Sequence, residues 1–222
     1  MTIEDIDILI NMYKNEMFSI EQFMKRMVNF FQDNPKLKKE PLPAVHSVKY
    51  RLKDPSHLSE KITRKIEEGT NDISVDNFFD RVTDLAGIRI LHLYSDQLQE
   101  IHNEIIEQVK IGELALYENP IAYNWDIDAQ QFLQNLGLEI KVKPSYYTSV
   151  HYVVMPKENS KIKCEIQVRT LFEEVWGEID HSINYPNPCE SISCREQIKV
   201  LAQLSATGLR LSNNIIRSKK ES

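Results

Sequence analysis

The densest run of side chains able to do chemistry is Lys163-Cys164-Glu165-Ile166-Gln167-Val168-Arg169-Thr170. Read as a strand, it alternates faces with period two. Cys164, Ile166 and Val168 then share an apolar face, and Glu165, Gln167 and Arg169 share the other. A carboxylate, an amide and a guanidinium in file are either a solvated sheet face or one wall of a polar site. A second acid, Asp84, stands before Gly87-Ile88-Arg89 at the entrance of another apolar run. Magnesium takes one or two carboxylates and fills its shell with substrate phosphates and water. Asp84 and Glu165 would supply that pair if their strands were neighbours; a lone Asp before a strand is more often a turn former. Lys61, Arg64 and Lys65 cluster at helical spacing. Tyr146 and Tyr147 sit among hydroxyls and His151 between strand candidates, which suits an aromatic platform for a base or simple packing.

These groups need elements to position them. Ile6, Ile10, Tyr13, Met17, Ile20, Met24, Met27 and Phe31 step by four and three, predicting an amphipathic helix over 1–34 that Asp33-Asn34-Pro35 ends. A proline-broken basic loop runs from Pro35 to Pro43. Residues 44–68 read as a basic helix, followed by a breaker at Gly69-Thr70-Asn71-Asp72. Strands are expected at 88–93, 139–143, 151–155 and 161–168, and helices at 96–110, 126–136 and 171–183. The rest of 111–137 is ambiguous. Pro186 and Pro188 break the chain before a terminal helix over 190–217. The pattern is a mixed α/β (α+β) unit with helices around a short sheet, one unit spanning 1–222 with its core over 45–186.

The chain has 222 residues and a formal charge of −6, which excludes a simple nucleic-acid coat. Charge is uneven. Lys36 to Lys65 holds nine Lys/Arg against three Asp/Glu, a local excess of +6 suited either to phosphates or to a solvated face. Three cysteines, Cys164, Cys189 and Cys194, form no zinc-ligand pattern and fit free thiols in a reducing compartment. The N-terminus lacks signal-peptide character and no apolar run approaches a membrane span. A cytoplasmic protein without membrane partners is expected.

The strings YRLK, DLAGIRI, KPSYYTSVHYVV, CEIQVRT and WGEIDHSINY, in that order, resemble the RelA/SpoT nucleotidyltransferase (synthetase) domain over about residues 45–186. ExQxRT followed by HSxNY is the most specific part. The resemblance implies a nucleotidyltransferase-like mixed sheet flanked by helices, with Mg2+ as cofactor, ATP as pyrophosphate donor and GDP or GTP as acceptor. Position by position, it implies that Arg51 and Arg89 sandwich the adenine, and that Lys53 and Lys61 hold the ATP phosphates. Asp84 would ligate the metal. Glu165 would ligate it or accept the proton of the attacking hydroxyl. Tyr147 would stack on the acceptor base, with Lys143 and His151 at the acceptor phosphates. Gln167, Arg169, His181 and Asn184 would line or brace the acceptor side. A glycine usually precedes the stacking tyrosine where this chain has Tyr146, His57 replaces a frequent serine, and Pro186 replaces a common lysine. Asp180-His181 reverses the order of an HD hydrolase motif, so a small stand-alone alarmone synthetase is expected. The resemblance leaves open a toxin-like enzyme that pyrophosphorylates the 3′ end of tRNA, an antitoxin protein as partner, a homo-oligomeric state and a non-catalytic nucleotide-binding module.

Overall fold

A computed structural model describes residues 3–69, 72–185 and 188–221. Its centre is a seven-stranded mixed sheet. The strands are β1 (Ser47–Leu52), β2 (Ala86–His92), β3 (Ala115–Leu116), β4 (Ile121–Tyr123), β5 (Glu139–Lys141), β6 (Ser149–Met155) and β7 (Cys164–Thr170). They lie in the order β1-β2-β7-β6-β4-β5, with β3 beside β6. β2 and β7 run parallel, as do β4 and β5; every other pair is antiparallel.

Register sorts the two faces. Ala86, Ile88 and Ile90 of β2, Val150, Tyr152 and Val154 of β6, and Cys164, Ile166 and Val168 of β7 are all buried on one face. Two helices cover it: α1 (Ile3–Asp33) and α4 (Asp96–Lys110). Seven of the eight stripe residues of α1 are buried, and Met17 packs partly against the same core. Tyr152 Oη meets His102 Nδ1 of α4 at 2.9 Å, which ties that helix to the same face. The other face carries Lys49 and Arg51 of β1 opposite Arg89 and Gly87 of β2. Glu165, Gln167 and Arg169 of β7 continue the row, and His151 of β6 stands opposite Gln167.

α6 (Leu171–Asn184) crosses this second face. It starts with a capping box in which Thr170 and Glu173 satisfy each other's backbone amides. α7 (Ile192–Glu221) packs on α6, where Trp176 Nε1 donates to Ile198 O at 3.1 Å. Trp176, Ile198 and Ala202 form a small second core against which Trp125, Tyr146 and Tyr147 pack. α2 (Pro55–Glu67), α3 (Phe78–Arg81) and α5 (Ile127–Asn135) complete the described elements.

The helix expected over 44–68 is two elements. Ser47–Leu52 is a strand, because Val48, Tyr50 and Leu52 alternate with Lys49, Arg51 and Lys53 at period two. The helix starts only after Asp54, whose carboxylate accepts from Ser56 N at 2.8 Å and His57 N at 3.4 Å, with Pro55 in the first turn. The ambiguous stretch holds β3, β4 and α5; Gly137, at φ 77°, follows α5 as expected. Two strands shift. β5 stops at Lys141, and β7 runs from Cys164 to Thr170, so Arg169 belongs to the strand. The terminal helix spans Ile192–Glu221. Thr70, Asn71 and Pro186 lie outside the described residues.

Candidate active site

The two acids come together because β2 and β7 are parallel neighbours with Gly87 opposite Glu165. Asp84 enters just before β2. Its Oδ2 accepts from Lys61 Nζ at 3.1 Å and also from Lys53 Nζ. Burial pushes the Asp84 carboxyl upward, but the two ammonium groups outweigh it and hold the group below the ordinary carboxylate range. Burial lowers Lys53 more than Asp84 restores it. Tyr13 of α1 fixes this corner by donating to Lys53 O at 2.6 Å.

Glu165 has a different environment. Its Oε1 faces His151 Nδ1 at 3.1 Å, and its Oε2 accepts from Gln167 Nε2 at 2.9 Å. Burial raises Glu165, yet these partners leave it below its usual value. Asp84 pushes it up electrostatically, a sign that the two carboxylates share one field. A cleft of about 280 Å³ lies over the pair, lined by Arg51, Asp84, Gly87, Arg89, Glu165 and Gln167 among others. Gly87 leaves its floor bare: an added Cβ would meet nothing closer than Arg51 Cγ at 4.0 Å.

The other end is aromatic. Tyr147 Oη lies 2.8 Å from His151 Nε2. An ionised Glu165 can only accept, so a neutral His151 that completes both bonds carries its proton on Nδ1 and accepts from Tyr147. Lys143 Nζ stands 4.0 Å from the Tyr123 ring centre and 4.4 Å from that of Tyr147. Arg169 lies over Tyr147 at 4.7 Å. Burial raises the Tyr147 phenol, and burial beside Arg169 lowers Lys143 despite the pull of Glu165. Tyr146, at φ 62°, turns the chain here and packs edge-on against Trp125 at 5.0 Å.

His181 and Asn184 do not join this cluster. They lie near the end of α6, where His181 stacks on Tyr185 at 4.7 Å and Tyr185 meets Arg64 of α2 at 5.8 Å. Asn184 bonds Asp180 at 2.8 Å and receives Cys189 N at 2.9 Å, so it braces the turn into α7. Arg51 and Arg89 sit on adjacent strands above Gly87, but Arg89 is already engaged by Glu174 at 2.8 Å and by Glu178. Sequence reasoning missed Glu174, Glu178 and Tyr123, and read Lys49 only as part of a basic run. Their signal was faint: acids at i and i+4 on a helix ordinarily mark a solvated face.

The model described as "Region found in RelA / SpoT proteins" matches residues 50–190. The chain belongs to the RelA/SpoT family. Solved structures share the fold. Small alarmone synthetase 1 from Bacillus subtilis is 18% identical at TM-score 0.71, covering 96% of this chain and 100% of that one. A GTP pyrophosphokinase family protein from Streptococcus pneumoniae is 18% identical at TM-score 0.66, covering 100% of this chain and 97% of that one. Small alarmone synthetase 2 from Bacillus subtilis is 20% identical at TM-score 0.58, covering 98% and 100%. No curated protein matches the chain significantly.

RelA/SpoT membership raises the question of magnesium. Among the described residues no group of three or more His, Cys, Asp or Glu side chains could cage a metal. The donor set still fits magnesium, which needs only one or two carboxylates when phosphates complete its shell. Asp84 already holds two ammonium cations, and the bare floor at Gly87 leaves room beside it. Among the described residues no helix is long and apolar enough to cross a membrane.

Proposed function

We propose that this chain is an ATP-dependent pyrophosphokinase that makes (p)ppGpp-type alarmones from GDP or GTP. One observation carries the reading: a carboxylate at the entrance of β2 and one on its parallel neighbour β7 line a single cleft, with lysines beside the first and a Tyr-His-Lys cluster beside the second. That is the charge plan of a site aligning two polyanions. Related structures support it. One of small alarmone synthetase 1 is bound to its product pppGpp, at TM-score 0.69. Another is bound to AMPCPP, at TM-score 0.65.

The 3′-hydroxyl oxygen of the acceptor attacks the β-phosphorus of ATP. A bond forms there, the bridge to the α-phosphate breaks, and AMP leaves with that bridging oxygen. Positioning and neutralisation supply most of the acceleration. Lys53 and Lys61 shift from Asp84 toward the donor phosphates. Arg51 and Arg89 take the adenine between them. Asp84 and Glu165 would hold Mg2+, which would neutralise phosphate charge when bound. Glu165, held ionised by His151 and Gln167, is also the proton acceptor for the attacking hydroxyl. On the acceptor side, Lys143 exchanges the Tyr147 ring for phosphate, freeing that ring for the base.

A tRNA acceptor would use a basic track outside the cleft, but two lysines of the Pro35–Pro43 loop are already paired. Lys36 pairs with Glu104 of α4 at 2.9 Å, and Lys38 with Asp33 at 3.3 Å. Gln97 of α4 donates to Pro43 O at 2.7 Å. The loop is therefore tied to the sheet face opposite the cleft. The deciding experiment supplies γ-labelled ATP with GDP, GTP, ADP or deacylated tRNA in separate reactions. Label in a guanosine nucleotide is the expected result, and label in tRNA alone would overturn it.

A further inference from the structure

Glu174 is a buried acid on α6, 5% exposed, with no place in the chemistry above. Three cations converge on it. Oε1 accepts from Lys49 Nζ of β1 at 2.9 Å and from Arg89 Nη1 of β2 at 2.8 Å. Oε2 faces Arg169 Nη1 of β7 at 3.6 Å, outside hydrogen-bond range. Oε2 and Arg169 Nε are both buried without a hydrogen-bond partner. Such orphan atoms are costly, so a poised half-formed pair needs a reason.

Arg89 lines the cleft at its donor end. Arg169 lies outside that lining, over Tyr147 at 4.7 Å, on the side read above as the acceptor's. Both guanidiniums share the Glu174 carboxylate, although Glu178 reaches Arg89 as well. Gly177, one turn along α6, makes the arrangement possible: a Cβ there would stand 2.8 Å from Arg169 Nη1. A carboxylate can accept about four hydrogen bonds, so Oε2 has capacity in reserve for Arg169.

We propose that Glu174 is a positioning residue that couples the two nucleotide subsites, fixing Arg89 for the donor and Arg169 for the acceptor. The proposal rests on the pyrophosphokinase reading only for the identity of the two nucleotides. Glu178, which reaches Arg89 alone, serves as the one-sided comparison.

The test begins without nucleotide. Side-chain NMR of the arginines in the free protein should show the Arg89 and Arg169 guanidinium signals both broadened in Glu174→Gln, and only that of Arg89 in Glu178→Gln. Unchanged Arg169 signals in Glu174→Gln would overturn the coupling, whatever the enzyme turns out to make. Steady-state kinetics and equilibrium titration with AMPCPP and GDP follow. Glu174→Gln should raise KM for both substrates about tenfold with a smaller change in kcat, because uniform binding is lost. Glu178→Gln should raise KM for ATP alone. A fall in kcat with both KM values unchanged would mean that Glu174 acts only in the transition state and not in holding the nucleotides, and would sink the idea. Should Glu174→Gln not fold, Glu174→Asp keeps the charge on a shorter arm and is read by the same criteria. If the parent binds both nucleotides yet transfers no pyrophosphate, the functional reading fails while the NMR and titration still judge Glu174.

Discussion

Asp84 is held ionised by Lys53 and Lys61, and Glu165 by His151 and Gln167. Asp84→Asn or Glu165→Gln should therefore lower transfer to any acceptor by about 10²–10⁴-fold, the usual span for a group acting on the reacting proton or charge. Labelled-ATP assays of the purified variants check this; turnover near the parent's would remove the mechanism. Glu174 allows a different measurement. Its burial would raise it, but bonds from Lys49 and Arg89 take it below the ordinary 4.5. A folded-state value below the unfolded one means stabilisation that is full above the unfolded value and fades as pH falls through the folded one. Denaturant melts from pH 7 down to about 3 should therefore show a shallower acid loss in Glu174→Gln than in the parent. The motif acids were legible through the DLAGIRI and CEIQVRT strings, since spacing alone left one a turn former and the other part of a solvated sheet face. Glu174 and Glu178 were not, since nothing in their sequence says that α6 lies over charged strand residues rather than water.

At the level of elements, the turn before Tyr147 makes the sharpest demand. Tyr146 at φ 62° carries a left-handed cost of about 1 kcal/mol that glycine would remove. Against this stand an edge-on aromatic contact with Trp125 of about 0.5–1.5 kcal/mol and the added freedom of an unfolded glycine, about 0.4–1 kcal/mol. Tyr146→Gly should thus destabilise the protein by about 1 kcal/mol despite relieving strain. A lowered urea midpoint at constant slope is the expected readout, and a raised midpoint would show that strain dominates. α4 was readable to the residue, because its apolar periodicity and flanking turn agree. The stretch 44–68 was not. Its lysines and arginines suit helix and edge strand alike, and only the Asp54-Pro55 cap divides them.

Across the whole molecule, the sheet separates a sealed apolar side from a charged working side. The basic loop of Lys36, Lys38 and Lys39 follows α1 and is tied to α4 on the sealed side. Changing all three to Glu should alter KM for ATP and for GDP by less than about twofold, since exposed charges beyond a Debye length are screened at physiological salt. Loss of nucleotide turnover in that variant would show that the loop reaches the cleft. The order of strands was beyond sequence reasoning, because which strand lies beside β7 depends on contacts between distant segments. That order has a temporal consequence. The parallel pair β2 and β7 joins Ala86–His92 to Cys164–Thr170, so the two acids stay apart until a crossover of some seventy residues has closed. Non-local pairings of this kind form slowly compared with helices. A refolding chain should accordingly regain most of its helical circular dichroism before any activity. A nascent chain still lacking β7 should be inert however much of its N-terminal half has already folded.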